Sequence, residues 1–450
     1  MAVRKLLLIL LIFLETILYC KEGEMINYPY PNWFKNAVIY EVNVRQFTPE
    51  GTFTAFAKHL PRLKELGVDV LWFMPIQPIG EKNRKGTLGS YYSIKDYTAV
   101  NPEFGTMEEF KYLVNKIHEL DMYVLIDWVA NHTAWDIELT KTHPEWFIRD
   151  AKGNFVPPVP DWTDVIDLDY SQEGLRNFMR EALAFWLKEA NIDGFRCDVA
   201  GMVPMDFWEE TRPELEKIKP IIMLAEAEGP EFHHKAFDIT YNWGIHKLFN
   251  AMASRKKNVH HLDHAIKKEA LNYPISKNYI RMLFTSNHDE NSWNGTVFER
   301  LGAGAKVFAM LTYTLPGIPL IYSGQEVGLD KRLAFFDKDE IEWKEHELTS
   351  LYQFMNGLKH GYSVFANGCE TGDYQRIKTS NDIAIFAFVR QNSSETFLII
   401  ANLSPYGQNF KVEMEDDFSI AFTKKKVSIK KDESQFLAPW DYKILLKEKK

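Results

Sequence analysis

The sequence predicts an α/β protein built on a (β/α)8 barrel of the TIM type, with a short insertion after the third strand and an all-β region at the C-terminal end. Three observations predict it. From about Asn36 eight short apolar runs alternate with amphipathic stretches, the pattern of strand and helix succeeding one another in a parallel sheet. Between the third and fourth runs there is a long stretch without a periodic helix. Beyond about residue 362 the helical pattern gives way to short β-rich runs separated by turn residues.

The eight runs are AVIYEVNV from Ala37, VDVLWFM from Val68, MYVLIDW from Met122, DGFRCDV from Asp193, IIMLAE from Ile221, FDITY from Phe237, RMLFTSN from Arg281 and IPLIYSG from Ile318. Helices are expected between them. Thr106 and Glu109 have the spacing of a capping box, and Phe110, Leu113, Val114 and Ile117 then recur at helical spacing. Further helices are expected over Ser171 to Ala190 and Leu348 to Leu358. A doubly wound open sheet also uses parallel strands, but no Gly-rich phosphate loop follows the first run. The insertion covers residues 132–170 and contains Pro157, Pro158 and Pro160. In the tail, IAIFAFVR, TFLIIANL and FKVEM predict a β-sandwich over residues 363–450, leaving 26–362 as the barrel unit.

Composition narrows the function. Hydrophobic residues make up 46% and charged ones 26%, the balance of an ordinary globular protein. A formal charge of -9 gives no basic footprint for nucleic acid, and the Lys runs at Lys424 to Lys426 and Lys447 to Lys450 are short enough to be solvated surface. Arg4 and Lys5 precede an apolar run from Leu6 to Leu14, so residues 1–20 are expected to be a signal peptide and the protein to be exported. Cys20 stands where a lipoprotein has its lipidated cysteine, although Tyr19 replaces the usual small residue before it, so a lipid anchor is the one membrane link expected. Cys197 and Cys369 lie far apart, and no disulfide framework is implied.

The chemistry sits where the apolar runs end in charges. Asp127, Asn131 and His132 close the third run, Arg196 and Asp198 the fourth, Glu226 the fifth, and Asn287, His288 and Asp289 the seventh. Buried charge costs several kcal/mol unless paired, and the C-terminal strand ends of such barrels form the active-site face. Arg196 and Asp198, two apart on a strand, point to one side; a structural ion pair would also explain them. At a barrel mouth Arg196 is expected to lower the pKa of Asp198 and keep it ionised. Glu226 ends an apolar run and suits a general acid, with Glu228 a rival on the same face. Paired carboxyls of this kind suit glycoside hydrolysis, with Arg196 and the two histidines as donors to sugar hydroxyls. No HExxH motif appears, and zinc chemistry has no support.

Several motifs in fixed order resemble the α-amylase family, glycoside hydrolase family 13, over almost all of Asn36 to Lys450: DWVANH at Asp127 to His132, GFRCD at Gly194 to Asp198, LAE at Leu224 to Glu226 and SNHD at Ser286 to Asp289. The resemblance implies Asp198 as nucleophile forming a covalent glucosyl-enzyme, Glu226 as acid/base in preference to Glu228, and Asp289 as transition-state stabiliser. It implies Tyr92, Asp127, His132, Arg196 and His288 as residues that hold the sugar or support the site, and an α-glucan or maltooligosaccharide as substrate. The insertion then looks like a short domain B and the tail like a domain C. The implied activity is cleavage of α-1,4-glucosidic bonds; a glucanotransferase, an exo-acting α-glucosidase or a non-catalytic binding protein on the same scaffold are the alternatives. After the nucleophile the family often has a Lys-His pair, where this chain reads VAGMVP from Val199 to Pro204. No cofactor is required for this chemistry. A structural calcium is compatible with Asn131, but no metal residue is assigned.

Overall fold

The computed structural model describes residues 30–448. The expected signal peptide and Cys20 lie outside the described residues. All eight apolar runs contribute strands to one closed parallel barrel: β1 (Ile39–Val42), β2 (Val70–Phe73), β3 (Tyr123–Trp128), β6 (Gly194–Cys197), β7 (Ile222–Ala225), β8 (Ile239–Tyr241), β9 (Ile280–Leu283) and β10 (Ile318–Tyr322). Between β3 and β6, β4 (His132–Ala134) and β5 (Val165–Asp167) form a small antiparallel ladder inside the insertion. The strands are shorter than the apolar runs. Each run's last residues leave the ladder and enter the loops at the mouth.

Strand alternation decides what faces inward. Ile39, Val70, Trp72, Leu125, Ile222, Leu224, Ile239, Tyr241, Ile280 and Met282 fill the barrel as one buried cluster. Their neighbours, such as Tyr40, Leu71, Ile126, Phe195 and Cys197, pack outward against the helices in another. Continuing the inward phase by two residues reaches Glu41 after Ile39, Asp127 after Leu125, Arg196 after Gly194, and Glu226 after Leu224. Apolar layers below and a charged layer above thus follow from one period. The ladder register sets Asp127 beside Arg196 and Arg196 beside Leu224.

The helices follow local signals. Met107–Glu119 starts on the expected capping box: the Glu109 amide donates to Thr106 Oγ1 at 3.2 Å and the Thr106 amide to Glu109 Oε2 at 2.8 Å. Phe110, Leu113, Val114 and Ile117 are its buried stripe. The other expected helices occupy Glu173–Glu189 and Glu347–Gly361. Between β8 and β9 the chain makes two helices, Trp243–Ala253 and Val259–Asn272.

The C-terminal region is a lopsided version of the expected sandwich. β11 (Asp373–Ile377), β12 (Ile385–Gln391), β13 (Glu395–Asn402), β15 (Asp416–Ile420), β16 (Lys426–Ile429) and β18 (Tyr442–Glu448) make a six-stranded sheet, whereas β14 (Gln408–Phe410) and β17 (Gln435–Leu437) form only a two-stranded ladder. The sheet is buried on both sides. Phe386, Phe388, Phe397 and Ile399 join the core of the barrel's helical layer; Ile385, Ala387, Val389, Leu398 and Ile400 meet Phe410 and Leu437 of the ladder. No helix among the described residues is long and apolar enough to cross a membrane.

Candidate active site

The charged layer closes around Arg196, which is wholly buried. Its Nη1 donates to Asp127 Oδ1 at 2.9 Å and to Asp198 Oδ1 at 3.0 Å, its Nε to the Tyr241 hydroxyl at 3.1 Å, and its Nη2 lies 2.8 Å from Glu226 Oε2. The guanidinium carbon also sits 5.0 Å from the centre of the Trp72 ring. One cation therefore serves three carboxyls on three adjacent strands, a geometry suited to the forked, always-charged guanidinium.

Asp198 lies just past the end of β6, its amide donating to the Trp128 carbonyl at 3.0 Å. Glu226 lies just past β7 in the same way, on the Cys197 carbonyl at 3.0 Å, and its Oε2 accepts from the Val199 amide at 2.8 Å. Val199 holds that amide in place from a left-handed conformation, φ 35° and ψ 45°, rare for a β-branched residue. Burial pushes Asp198 up to about 6 despite the pull of Arg196. Arg196 does pull Asp198 down, in the direction expected, but desolvation is the larger effect and the net shift is upward. Glu226 goes higher, to about 7, through burial and the neighbouring Asp198 and Asp289, again against Arg196.

Asp289 follows β9 and is the most open of the group, with 37% of its side chain exposed. Beside it, His288 places Nδ1 2.5 Å from Glu41 Oε1 and Nε2 2.8 Å from the Tyr92 hydroxyl and 3.3 Å from Asp289 Oδ2. Burial works against its charged form, yet Asp289 and Glu41 outweigh that and push the ring up to about 9. His132 behaves oppositely. Its Nε2 is 4.0 Å from Asp198 Oδ2, and burial lowers it to about 3, leaving a neutral ring. Tyr92 stacks near His288, ring centres 5.4 Å apart, and donates to Asp127 Oδ2 at 3.1 Å.

These groups line a cavity of about 640 Å³, with Asp198, Glu226, Asp289, Tyr92, His132 and His288 in its walls together with Lys85, Trp162, Trp293, Phe335 and Phe336. Lys85 crosses the rim to Asp164 Oδ1 at 3.0 Å and the Asp161 carbonyl at 2.7 Å. Arg196 and Asp127 lie behind the wall. Every residue singled out from the sequence is thus brought to one place, except the rival Glu228. That side chain has left the inward phase because the strand ends at Ala225; it pairs with Arg281 at 2.8 Å and is 40% exposed.

Several members were not foreseen. Glu41 was written inside the first run without being singled out; its signal was a lone carboxylate in phase with Ile39. The aromatic walls Trp162 and Phe335 lie in loops and Trp293 in a single π-helical turn, Glu290–Asn294, where no periodicity marks them. A calcium takes six to eight oxygen ligands. Among the described residues no three His, Cys, Asp or Glu side chains stand as a group that could hold a metal ion.

A family model described as the α-amylase catalytic domain matches residues 28–164 and 145–359. The chain belongs to the α-amylase family. Among solved structures it is similar to a maltogenic α-amylase, AmyB, from Thermotoga neapolitana, with 31% identity, coverage of 92% of this chain and 99% of that one, and a TM-score of 0.84. It is equally similar to an α-amylase from Lactobacillus plantarum, at 32% identity, 93% and 100% coverage and a TM-score of 0.83. α-Amylase 3 of Dictyoglomus thermophilum is 25% identical over 85% of this chain and 88% of its own. The family's enzymes are glycosidases, and this chain is one of them.

Proposed function

We propose that the protein is a retaining hydrolase of α-1,4-glucosidic bonds in starch-like glucans or maltooligosaccharides, working through a covalent glucosyl-enzyme. The observation that carries this reading is the single guanidinium shared by Asp198 and Glu226, which favours the closely spaced carboxyl pair of retaining enzymes over the wide pair of inverting ones. Asp198, ionising first, attacks the anomeric carbon. Glu226, still protonated when Asp198 is charged, gives its proton to the departing glycosidic oxygen. In the second half-reaction Glu226 takes a proton from water, which attacks the same carbon and frees Asp198. Asp289, open to the cavity, stabilises positive charge on the sugar ring, and Tyr92, His132 and His288 hold its hydroxyls. Asp127 keeps Arg196 and Tyr92 in position. The N-terminal residues 1–20 support export of the catalytic unit at 26–362 and its tail.

Purified protein incubated with a maltooligosaccharide series is expected to release α-anomers, read by polarimetry or NMR before mutarotation. β-Anomers would sink the double displacement. Longer-than-substrate products would move the reading to a glucanotransferase on the same scaffold. Asp198→Asn is expected to lose turnover while keeping its circular dichroism, and an active variant would refute the nucleophile.

A further inference from the structure

Glu41 is wholly buried inside the barrel, and among the described residues its only ion pair is with His288. Its second oxygen, Oε2, has no hydrogen-bond partner, so the carboxylate is held through Oε1 alone, by the His288 ring at 2.5 Å and the His288 amide at 3.4 Å. The proton inventory around the ring can be worked out from geometry. Asp127 Oδ2 already accepts from Arg196 Nη1 at 3.1 Å and from Trp72 Nε1 at 3.2 Å, so that oxygen carries no proton to give. Tyr92, 3.1 Å from Asp127 Oδ2, must therefore donate to it. The Tyr92 oxygen then accepts from His288, so Nε2 carries a proton. At 2.5 Å a further proton lies between Nδ1 and Glu41 Oε1. Asp289, with its Oδ2 3.3 Å from Nε2, draws that proton onto the ring.

We propose that Glu41 is a positioning residue that holds His288 as an imidazolium, and that this fixed cation is the form of His288 that meets the sugar at the cleavage site. The sugar contact rests on the hydrolase reading above; the charge state does not. The groups facing the pair are Asp127 from β3, Arg196 from β6, Tyr92 from the loop after β2, Tyr241 from β8, Tyr322 from β10 and Asp289 beside the ring. Of these groups Arg196 alone opposes the charge, from behind Asp127, and burial opposes it as well. The direction agrees with the ring being driven up to about 9. A charge-assisted donor is shorter and stronger than a neutral one, and here it is supplied without drawing on the catalytic carboxyls.

The test reads the ring directly, in the free full-length enzyme. With histidine labelled in 13C and 15N, the His288 signal, assigned by its loss in His288→Gln, is expected to stay doubly protonated at pH 7 and to titrate near 9. In Glu41→Gln the amide oxygen still accepts from Nδ1–H, so ring placement survives while the counter-charge is gone. The midpoint is then expected to fall by about one unit or more. At pH 8, above the limb that the carboxyl pair imposes on both enzymes, kcat/KM of the variant is expected to fall a further factor of about 2- to 10-fold below the parent's as the ring loses its charge. A wild-type ring that is neutral at pH 7, or a Glu41→Gln variant whose ring midpoint does not fall, overturns the proposal. The NMR result stands whether or not maltooligosaccharides are hydrolysed, so failure of the charge state and failure of the hydrolase reading are separate outcomes.

Discussion

At the scale of single residues the two carboxyls on Arg196 are placed at a cost. The ordinary values for these groups are 3.8 for Asp198 and 4.5 for Glu226, and the folded site lifts them to about 6 and about 7. An acid raised on folding binds its proton more tightly in the native state, so its contribution to stability falls as pH climbs from the unfolded to the folded value. Above pH 7 both penalties are fully present. Glu226→Gln is therefore expected to lower kcat by 10²- to 10⁴-fold, roughly the worth of a general acid. The same variant should be more stable than the parent at pH 8, by about 1 to 3 kcal/mol in urea unfolding. A variant less stable than the parent there would contradict the pKa ordering. In the free enzyme kcat/KM is expected to trace a bell with limbs near 6 and 7 that belong to the carboxyl pair jointly. Most of this layer was legible in sequence because spacing by two on a strand fixes the side of the wall. Glu41 was not, since one carboxylate in a run carries no motif; Glu226 was separable from Glu228 by the family resemblance and not by spacing, and the strand end at Ala225 supplies the physical reason.

Elements show where local signals suffice. The capping box at Thr106 satisfies two otherwise orphaned amides, so Thr106→Ala is expected to cost about 1 kcal/mol in chemical denaturation. It should leave kcat/KM per folded molecule unchanged, because neither Thr106 nor Glu109 lines the cavity. A full loss of activity would show the helix to be coupled to the site. Apolar runs announced all eight barrel strands, yet overstated their length: the residues past each ladder look apolar or polar by their role at the mouth, not by strand membership. The ladder of β4 and β5 was invisible for a different reason, since three residues are too few to display a period. Val199 is another case. Nothing in VAGMVP announces a left-handed valine, which persists because its amide is held by Glu226.

The whole molecule depends on a sheet with two buried faces. The β12–β13 residues Phe386, Phe388, Phe397 and Ile399 cover the barrel's helical layer, and Arg390 reaches across to the Thr314 carbonyl at 2.8 Å. A chain ending at residue 362 would expose that layer as a broad apolar patch, and such patches associate. The truncated barrel is expected to run as aggregate in size-exclusion chromatography; a stable, active monomer would show the tail to be dispensable. Composition along the tail made its β content legible, but not its unequal layers: β14 and β17 are three residues each, too few to display a period, and the expected run FKVEM gives only Phe410 to β14. The crowding of the mouth has a consequence of its own. Glu41, Asp127, Asp198 and Asp289 face Arg196 and His288, so even with Glu226 protonated and His288 charged the cavity is net anionic. Low-dielectric walls concentrate that potential. A phosphorylated sugar is therefore expected to bind more weakly than its neutral parent, and a sugar analogue carrying an amine more tightly, with both differences shrinking as salt is raised in a competition assay. The barrel's floor sorts ligands by sign at a distance where its aromatic walls have not yet touched them.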